Sequence, residues 1–272
     1  MQVVYGKVFD MKFKGILLAS DWDRTLFSDG KVSIDNQKAI KYFQSEGGLF
    51  TVCSGRSWQF IDGFKDVIKP NTYAITYNGG CIYHLDKHKL LCEGFCDDNL
   101  ISILKEFCKM ARGEISLVFH IKNREATTIS KNEFLSNKTV FSTTNIYKCV
   151  VVSDCEVNGT YNSEIAKALN LYDYIAVRSW PTGLEFFKET SSKGVALKKV
   201  AEAEGVKLTV AVGDYENDIS MLKAADIGYA VDNAIESVKL AADRITVSCK
   251  DSALAKIIYD LEKSIDAKEL II

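Results

Sequence analysis

The run Gly15–Ser20 is strand-sized, and it is followed at once by two carboxylates two residues apart, Asp21 and Asp23, and then by a cation, Arg24. A strand end that merely meets solvent needs one charge, not this cluster. The pattern recurs: Leu49–Cys53 stops at Ser54-Gly55-Arg56, Tyr73–Thr76 leads to Asn78-Gly79-Gly80, and Leu208–Val212 stops at Gly213-Asp214, with Glu216-Asn217-Asp218 just beyond. Short apolar runs between segments of helical period predict strands buried on both faces, hence a parallel sheet with right-handed crossovers. In open sheets of this kind ligands bind beyond the carboxyl ends of the strands. Four polar clusters at four strand ends therefore converge on one edge, and that edge is the expected site.

Around these runs Ile34–Gln44 reads as an amphipathic helix capped by Ser33, and Ser57–Val67 as a second. The C-terminal third continues the alternation, with helices Ser192–Ala203, Glu216–Ala224, Ala234–Ala241 and Ser252–Lys263 around strands Ile227–Ala230 and Arg244–Val247. The middle third differs. It reads as a hairpin over Cys81–Cys92 turning at Asp86-Lys87, helices Asn99–Met110 and Asn162–Ala168, and strands Ile115–His120, Ile146–Val152 and Tyr174–Ser179. That mixture predicts an α+β insertion over residues 82–182 in an α/β core made of 1–81 and 183–272. The polar stretch Asn123–Thr144 is expected to be mobile.

Lys plus Arg number 34 and Asp plus Glu 36, a net charge of −2. No basic cluster is interleaved with aromatics, which argues against a nucleic-acid partner. No apolar run approaches the ~20 residues of a membrane span, and residues 1–10 carry no secretory pattern. The chain thus reads as cytoplasmic, a monomer or weak homodimer with a small-molecule partner. Eight cysteines in a chain of this length and compartment read as thiols; Cys53, Cys81, Cys108, Cys149, Cys155 and Cys249 lie in or beside apolar stretches. His84, His88, Cys92 and Cys96 repeat every four residues and are zinc-type ligands. One straight element strings such ligands along a line instead of wrapping them around an ion, so the series is not read as a metal site.

Several carboxylates at one sheet edge repel each other unless a cation sits among them. Magnesium, a hard ion held by one or two carboxylates with phosphate and water, suits the edge. Ser54, the Gly55 amide and the helix start near Ser57 offer donors to an oxyanion, and Lys193 adds a positive charge. Together these groups describe a phosphoryl-transfer site. The segments that carry them, DWDRTLFSDG, TVCSGR, SSKGVALKK and GDYENDISML, resemble in order the four motifs of the haloacid dehalogenase (HAD) superfamily of phosphatases. The arrangement is similar to the Cof-type branch, subclass IIB, which carries a large cap between the second and third motifs.

The resemblance implies a Rossmann-like α/β core with a parallel sheet and an inserted α+β cap. It also implies a Mg2+-dependent phosphatase that hydrolyses small phosphate monoesters, sugar phosphates or related metabolites, through an aspartyl-phosphate. Asp21 would be the nucleophile, ionised at neutral pH if it keeps the ordinary carboxylate pKa of ~3.9. Asp23 would protonate the leaving oxygen and then activate water. Asp21, the backbone carbonyl of Asp23 and Asp214 would hold Mg2+, with Asp218 supporting them. Ser54, Gly55, Lys193 and Asn217 would hold the phosphoryl oxygens, and Trp22 falls on the same substrate-binding side.

Plainer readings stand beside these. Asp218 equally suits a helix cap, Arg56 a structural ion pair, and Asn78 a turn into the insertion. Phosphotransfer of the phosphohexomutase kind and a catalytically silent phosphometabolite-binding protein remain open alternatives. Arg24 departs from the family, which has glycine there; it is expected to point away from the site as a surface cation, with recognition of a second anionic group on the substrate as the other reading. Met11-Lys12-Phe13-Lys14-Gly15 resembles the usual start of the family, so residues 1–10 read as an extension.

Overall fold

The computed structural model describes residues 11–111, 113–136, 144–154, 169 and 172–270. Among them are fifteen strands, numbered here in chain order. The first sheet is wholly parallel and runs β15 (Arg244–Ile245), β14 (Ile227–Ala230), β13 (Leu208–Gly213), β1 (Ile16–Ser20) and β4 (Leu49–Val52). Every residue of β1 is buried, as an apolar run flanked by strands and covered on both faces requires. Helix Ile34–Ser45 begins as expected at Ser33, whose hydroxyl accepts from the Asn36 amide. Helix Lys193–Glu204 is capped in the same way by Ser192.

Two expected helices are shorter than their apolar pattern. The Ser57 helix is regular only over Trp58–Asp62, ending at Gly63, a poor helix former. Glu216–Ala224 opens with a 3-10 turn, Glu216–Asp218, because the Asp218 carboxylate folds back onto the amides of Asp214 and Tyr215.

The second sheet is antiparallel, in the order β11 (Tyr174–Trp180), β12 (Gly183–Lys188), β10 (Ile146–Ser153), β8 (Ile115–Ile121) and β9 (Thr127–Ser130). Its strands alternate in the period-2 manner. Leu117 and Phe119, Cys149 and Val151, and Leu184 and Phe186 join helix Asn99–Met110 in one apolar cluster. Their neighbours His120, Lys148, Val150 and Glu185 line a cleft on the opposite face. Strand β12 escaped the sequence reading, which began the second core segment at residue 183.

The hairpin of β6 (Cys81–His84) and β7 (Lys89–Glu93) turns where expected and pairs with β5 (Ala74–Thr76). It packs with the parallel sheet: Ile82 and Leu85 belong to the core cluster, whereas the second cluster runs from Cys96 to Phe186. The apolar clusters part near residues 94–95 and again after Phe186. A small aromatic joint, Tyr77 stacked on Tyr147 at 4.4 Å with Phe95 beside it, ties the two units together.

Within Asn123–Thr144, expected to be mobile, β9 and a helix at Lys131–Leu135 are formed, anchored by buried Ile129 and Phe134. The remaining short pair is β2 (Phe27–Ser28) with β3 (Lys31–Val32). The seven described cysteines are free thiols, six of them buried. Residues 1–10, Cys155 and the helix expected at Asn162–Ala168 lie outside the described residues. No described helix is long and apolar enough to cross a membrane.

Candidate active site

The parallel strands deliver their polar ends to one edge, and the closest contacts there are ionic. Lys193, wholly buried at the first turn of its helix, donates to Asp21 Oδ1 and to Asp218 Oδ1, each at 2.6 Å. Asp218 also accepts the Asp214 amide at 2.9 Å and the Tyr215 amide at 3.1 Å through Oδ2. Both its oxygens are thus committed, which makes it a support for its neighbours more than a free ligand. Gly213 is required beside it, since a Cβ there would lie 2.4 Å from the Asp218 Cβ.

Asp21, Asp214 and Asp218 bring ligand atoms within 4.8 Å of one another, the one such cluster of three or more among the described residues. Burial, then Asp218 and Asp214, push the Asp21 carboxyl well above its ordinary range, against the pull of Lys193. Burial and Asp218 likewise push Asp214 up to about 7, against Arg24 and Lys193. The ordinary carboxylate pKa therefore does not hold at Asp21; its ionisation at neutral pH depends on the cations beside it. Burial alone would depress Lys193, but Asp21 and Asp218 hold it well above its usual value. Asp214 Oδ1 accepts from Thr25 at 3.4 Å, while Oδ2 is buried and accepts no hydrogen bond. A hard divalent cation suits such a donor set: crowded carboxylate oxygens, one of them without a hydrogen-bond donor.

Asp23 stands at the mouth, half exposed, with both oxygens clasped by Arg56 at 2.9 and 3.0 Å. Arg56 does form an ion pair, but inside the cleft and with the acid–base candidate. Arg24 contradicts the expectation that it faces away. Its Nε lies 3.3 Å from Asp214 Oδ2, and its backbone is left-handed, φ 61°. The uncompensated carboxylate oxygen draws the guanidinium inward.

The facing wall comes from the antiparallel sheet. Lys148 and Glu185 form a buried ion pair, and Glu185 also accepts from Ser179 and from Asn78 Nδ2. Burial would raise the Glu185 carboxyl, but Lys148 holds it below its ordinary value. Asn78 is left-handed, φ 58°, and accepts from Asn217 Nδ2 at 3.3 Å, so it links both halves of the site as well as shaping the turn. The Ser54 hydroxyl accepts the Arg56 amide. A Cβ on Gly55 would crowd Lys148 Nζ at 3.1 Å and Asn78 Oδ1 at 3.2 Å, so the bare backbone keeps this cradle open without displacing them. Between the two walls lies a cleft of about 1010 Å³, lined by Asp21, Asp23, Ser54, Gly55, Asp214 and Asn217 among others.

Trp22 is placed differently from its neighbours. Its indole is buried against Phe27, Phe60 and Phe64, leaving only its backbone to serve a substrate. The His84–Cys96 series is dispersed: His84 and Cys92 lie on opposite arms of the hairpin, His88 in its turn, and Cys96 in the second apolar cluster.

His120, Lys148, Glu185 and Thr25 were not singled out from sequence. The available signal was a charged or polar residue inside an apolar strand, as in IYKCVVV and GLEFF. His120 carries a testable consequence. Burial, then Lys148, push its pKa down to about 4 from 6.5, against Glu185. Above pH 6.5 the ring is neutral folded or unfolded; between 6.5 and 4 the unfolded chain binds the extra proton, so stability falls as pH falls. After discounting for partial exposure this amounts to about 2 kcal/mol. His120→Gln should remove that share of the acid loss, read from urea midpoints at pH 7 and 4.5; parallel losses in both proteins would refute it.

Residues 18–258 match the haloacid dehalogenase-like hydrolase family. The 5-amino-6-(5-phospho-D-ribitylamino)uracil phosphatase YcsE of Bacillus subtilis is 27% identical over 253 residues, 89% of this chain and 94% of that protein. Phosphoglycolate phosphatase 2 of Saccharolobus solfataricus is 28% identical over 242 residues, 87% of this chain and 88% of that protein. A solved HAD subclass IIB sugar phosphatase shares the fold with a TM-score of 0.74 at 20% identity, over 90% of this chain and 98% of that one.

Proposed function

This chain belongs to the haloacid dehalogenase-like hydrolase family and is a phosphatase of small phosphate substrates, and from that premise we propose that it works with Mg2+ on sugar or polyol phosphates. The observation that carries the metal is the cluster of Asp21, Asp214 and Asp218, whose three buried carboxylates outnumber Lys193 and the half-exposed Arg24 beside them. Asp21, Asp214 and the main-chain carbonyl of Asp23 would hold the ion, with Asp218 supporting them. Bound there, Mg2+ supplies charge neutralisation to the phosphoryl group.

The chemistry falls to this chain's own groups. Asp21 attacks phosphorus, and the bond from phosphorus to the leaving oxygen breaks as Asp23 gives that oxygen a proton. Asp23 then takes a proton from water as the water attacks the aspartyl-phosphate, releasing phosphate and restoring Asp21. Lys193 holds Asp21 in line and balances its charge. Ser54, the Gly55 backbone and Asn217 face the phosphoryl oxygens, and the Trp22 contribution is its backbone. Arg56 must release Asp23 for the proton steps, and the incoming phosphoryl group is the anion that would draw it away.

The leaving group then meets the roof formed by the antiparallel sheet. Lys148, Glu185 and Ser179 offer donors and acceptors suited to hydroxyls. One relative in the family is named for a phosphoribityl substrate and a structural neighbour for sugar phosphates. The test is phosphate release from an aryl phosphate and a panel of phosphorylated metabolites. EDTA should lower turnover by about 10²–10³-fold, the scale of losing a main electrostatic stabiliser. Sugar and polyol phosphates should outrank phosphoglycolate in kcat/KM. Activity indifferent to EDTA would overturn the metal, and the reverse substrate order would overturn the class.

A further inference from the structure

The acidic cluster has a cation of its own that the reaction does not use. Lys193 is shared between Asp21 and Asp218, which leaves Asp214 to Arg24. The Arg24 guanidinium approaches through Nε, 3.3 Å from Asp214 Oδ2, an oxygen that is buried and accepts no hydrogen bond. Asn233 holds the residue at both ends: its carbonyl accepts Arg24 Nη2 at 3.4 Å, and its Nδ2 donates to the Arg24 carbonyl at 2.9 Å. Asn233 is itself fixed by the Cys249 amide at 2.8 Å. The guanidinium carbon also lies 6.0 Å from the centre of the Tyr215 ring. This hold coexists with an unfavourable left-handed backbone and a side chain 55% exposed.

We propose that Arg24 is a resident competitor for the divalent cation at Asp214, balancing that carboxylate in the metal-free protein and leaving it when the ion binds. The inference rests on the reading of Asp214 as a metal ligand. A divalent ion held by Asp214 and a guanidinium against the same carboxylate would be like charges only a few ångströms apart, so the two would compete for it. Arg24 can leave cheaply, because its side chain reaches solvent and its hydrogen bond to the Asn233 carbonyl is long. The consequence is a site that fills at a higher Mg2+ concentration than its three carboxylates alone would require.

The test is calorimetric titration of the whole, metal-stripped chain with Mg2+, without substrate, so that recognition of a leaving group cannot contribute. Arg24→Gln removes the charge and keeps the strained backbone; Arg24→Gly removes both. Both variants should bind Mg2+ about tenfold more tightly, within the ordinary range of coupling between two sites. In EDTA, Arg24→Gln should melt at a lower temperature and recover more on adding Mg2+ than the wild type. Wild-type affinity in Arg24→Gln, or tightening confined to Arg24→Gly, would overturn the competition, since the backbone and not the charge would then be responsible. Asp214→Asn, checked for folding by circular dichroism, should lose Mg2+ binding. If it keeps wild-type binding, the metal reading fails and this proposal with it; if it loses binding while Arg24→Gln is unchanged, the competition alone fails.

Discussion

Asp21→Asn should lose phosphate release by about 10⁴-fold or more, the scale seen when a nucleophile is removed, while its stability in EDTA matches or exceeds that of the wild type. The first half follows from chemistry: an amide cannot form the acyl-phosphate. The second half follows from electrostatics. Burial, Asp218 and Asp214 raise the Asp21 carboxyl well above its ordinary 3.8. A group raised in the folded state contributes stability in full below pH 3.8 and loses it as pH rises through the folded value. At neutral pH without metal, ionising Asp21 therefore works against the fold, offset by Lys193. Asn keeps the shape, an acceptor for Lys193 and none of the repulsion. Urea midpoints at pH 5 and 8 should differ less in the variant than in the wild type. A variant clearly less stable than the wild type at pH 8 would show that the Lys193 bond outweighs the crowding, and residual turnover near wild type would remove Asp21 as nucleophile.

The edge that carries the candidate site was legible because burial on both faces turns a parallel strand into an uninterrupted apolar run, so its end is visible as a change of chemistry. Ile16–Ser20 and Leu208–Gly213 are of that kind, and the residues just past them, Asp21 and Asp214, meet in space as expected. The roof of the cleft was not legible for the opposite reason. In an antiparallel sheet each strand shows one face to a core and one to the cleft, so Lys148 and Glu185 look like isolated charges in apolar strands. They become a pair only through the register of β10 against β12, which sets Val150 opposite Glu185. Hairpin residues Ile82 and Leu85 carry no local mark of which unit they pack against. Arg24 was misplaced because an exposed arginine is usually solvated, and only the buried Asp214 oxygen, which no hydrogen-bond donor among the described residues satisfies, gives it a reason to turn inward.

Lys193→Met should destabilise the metal-free protein by about 3–5 kcal/mol at pH 8, the cost of leaving buried charge without its partner. It should also cut turnover sharply. Lys193 is wholly buried, and its ammonium is the shared donor to Asp21 and Asp218 at 2.6 Å. Because those carboxylates hold its pKa well above 10.5, the contribution is full below pH 10.5 and is lost only as pH rises through the folded value. The lysine itself is therefore charged throughout pH 5–8, and any change in the mutational effect over that range comes from the acids. Burial and the neighbouring acids favour protonation within the cluster, and lowering the pH works in the same sense against the repulsion that Met leaves behind, so the destabilisation should shrink between pH 8 and 5. Mg2+ at neutral pH should have the same sense, restoring part of the stability by supplying a positive charge to the same carboxylates. Urea unfolding at both pH values, with EDTA and with Mg2+, separates the contributions. A loss equal at pH 5 and 8 and untouched by Mg2+ would mean that Lys193 acts through packing of its alkyl stem, not as the counter-charge of the acidic cluster.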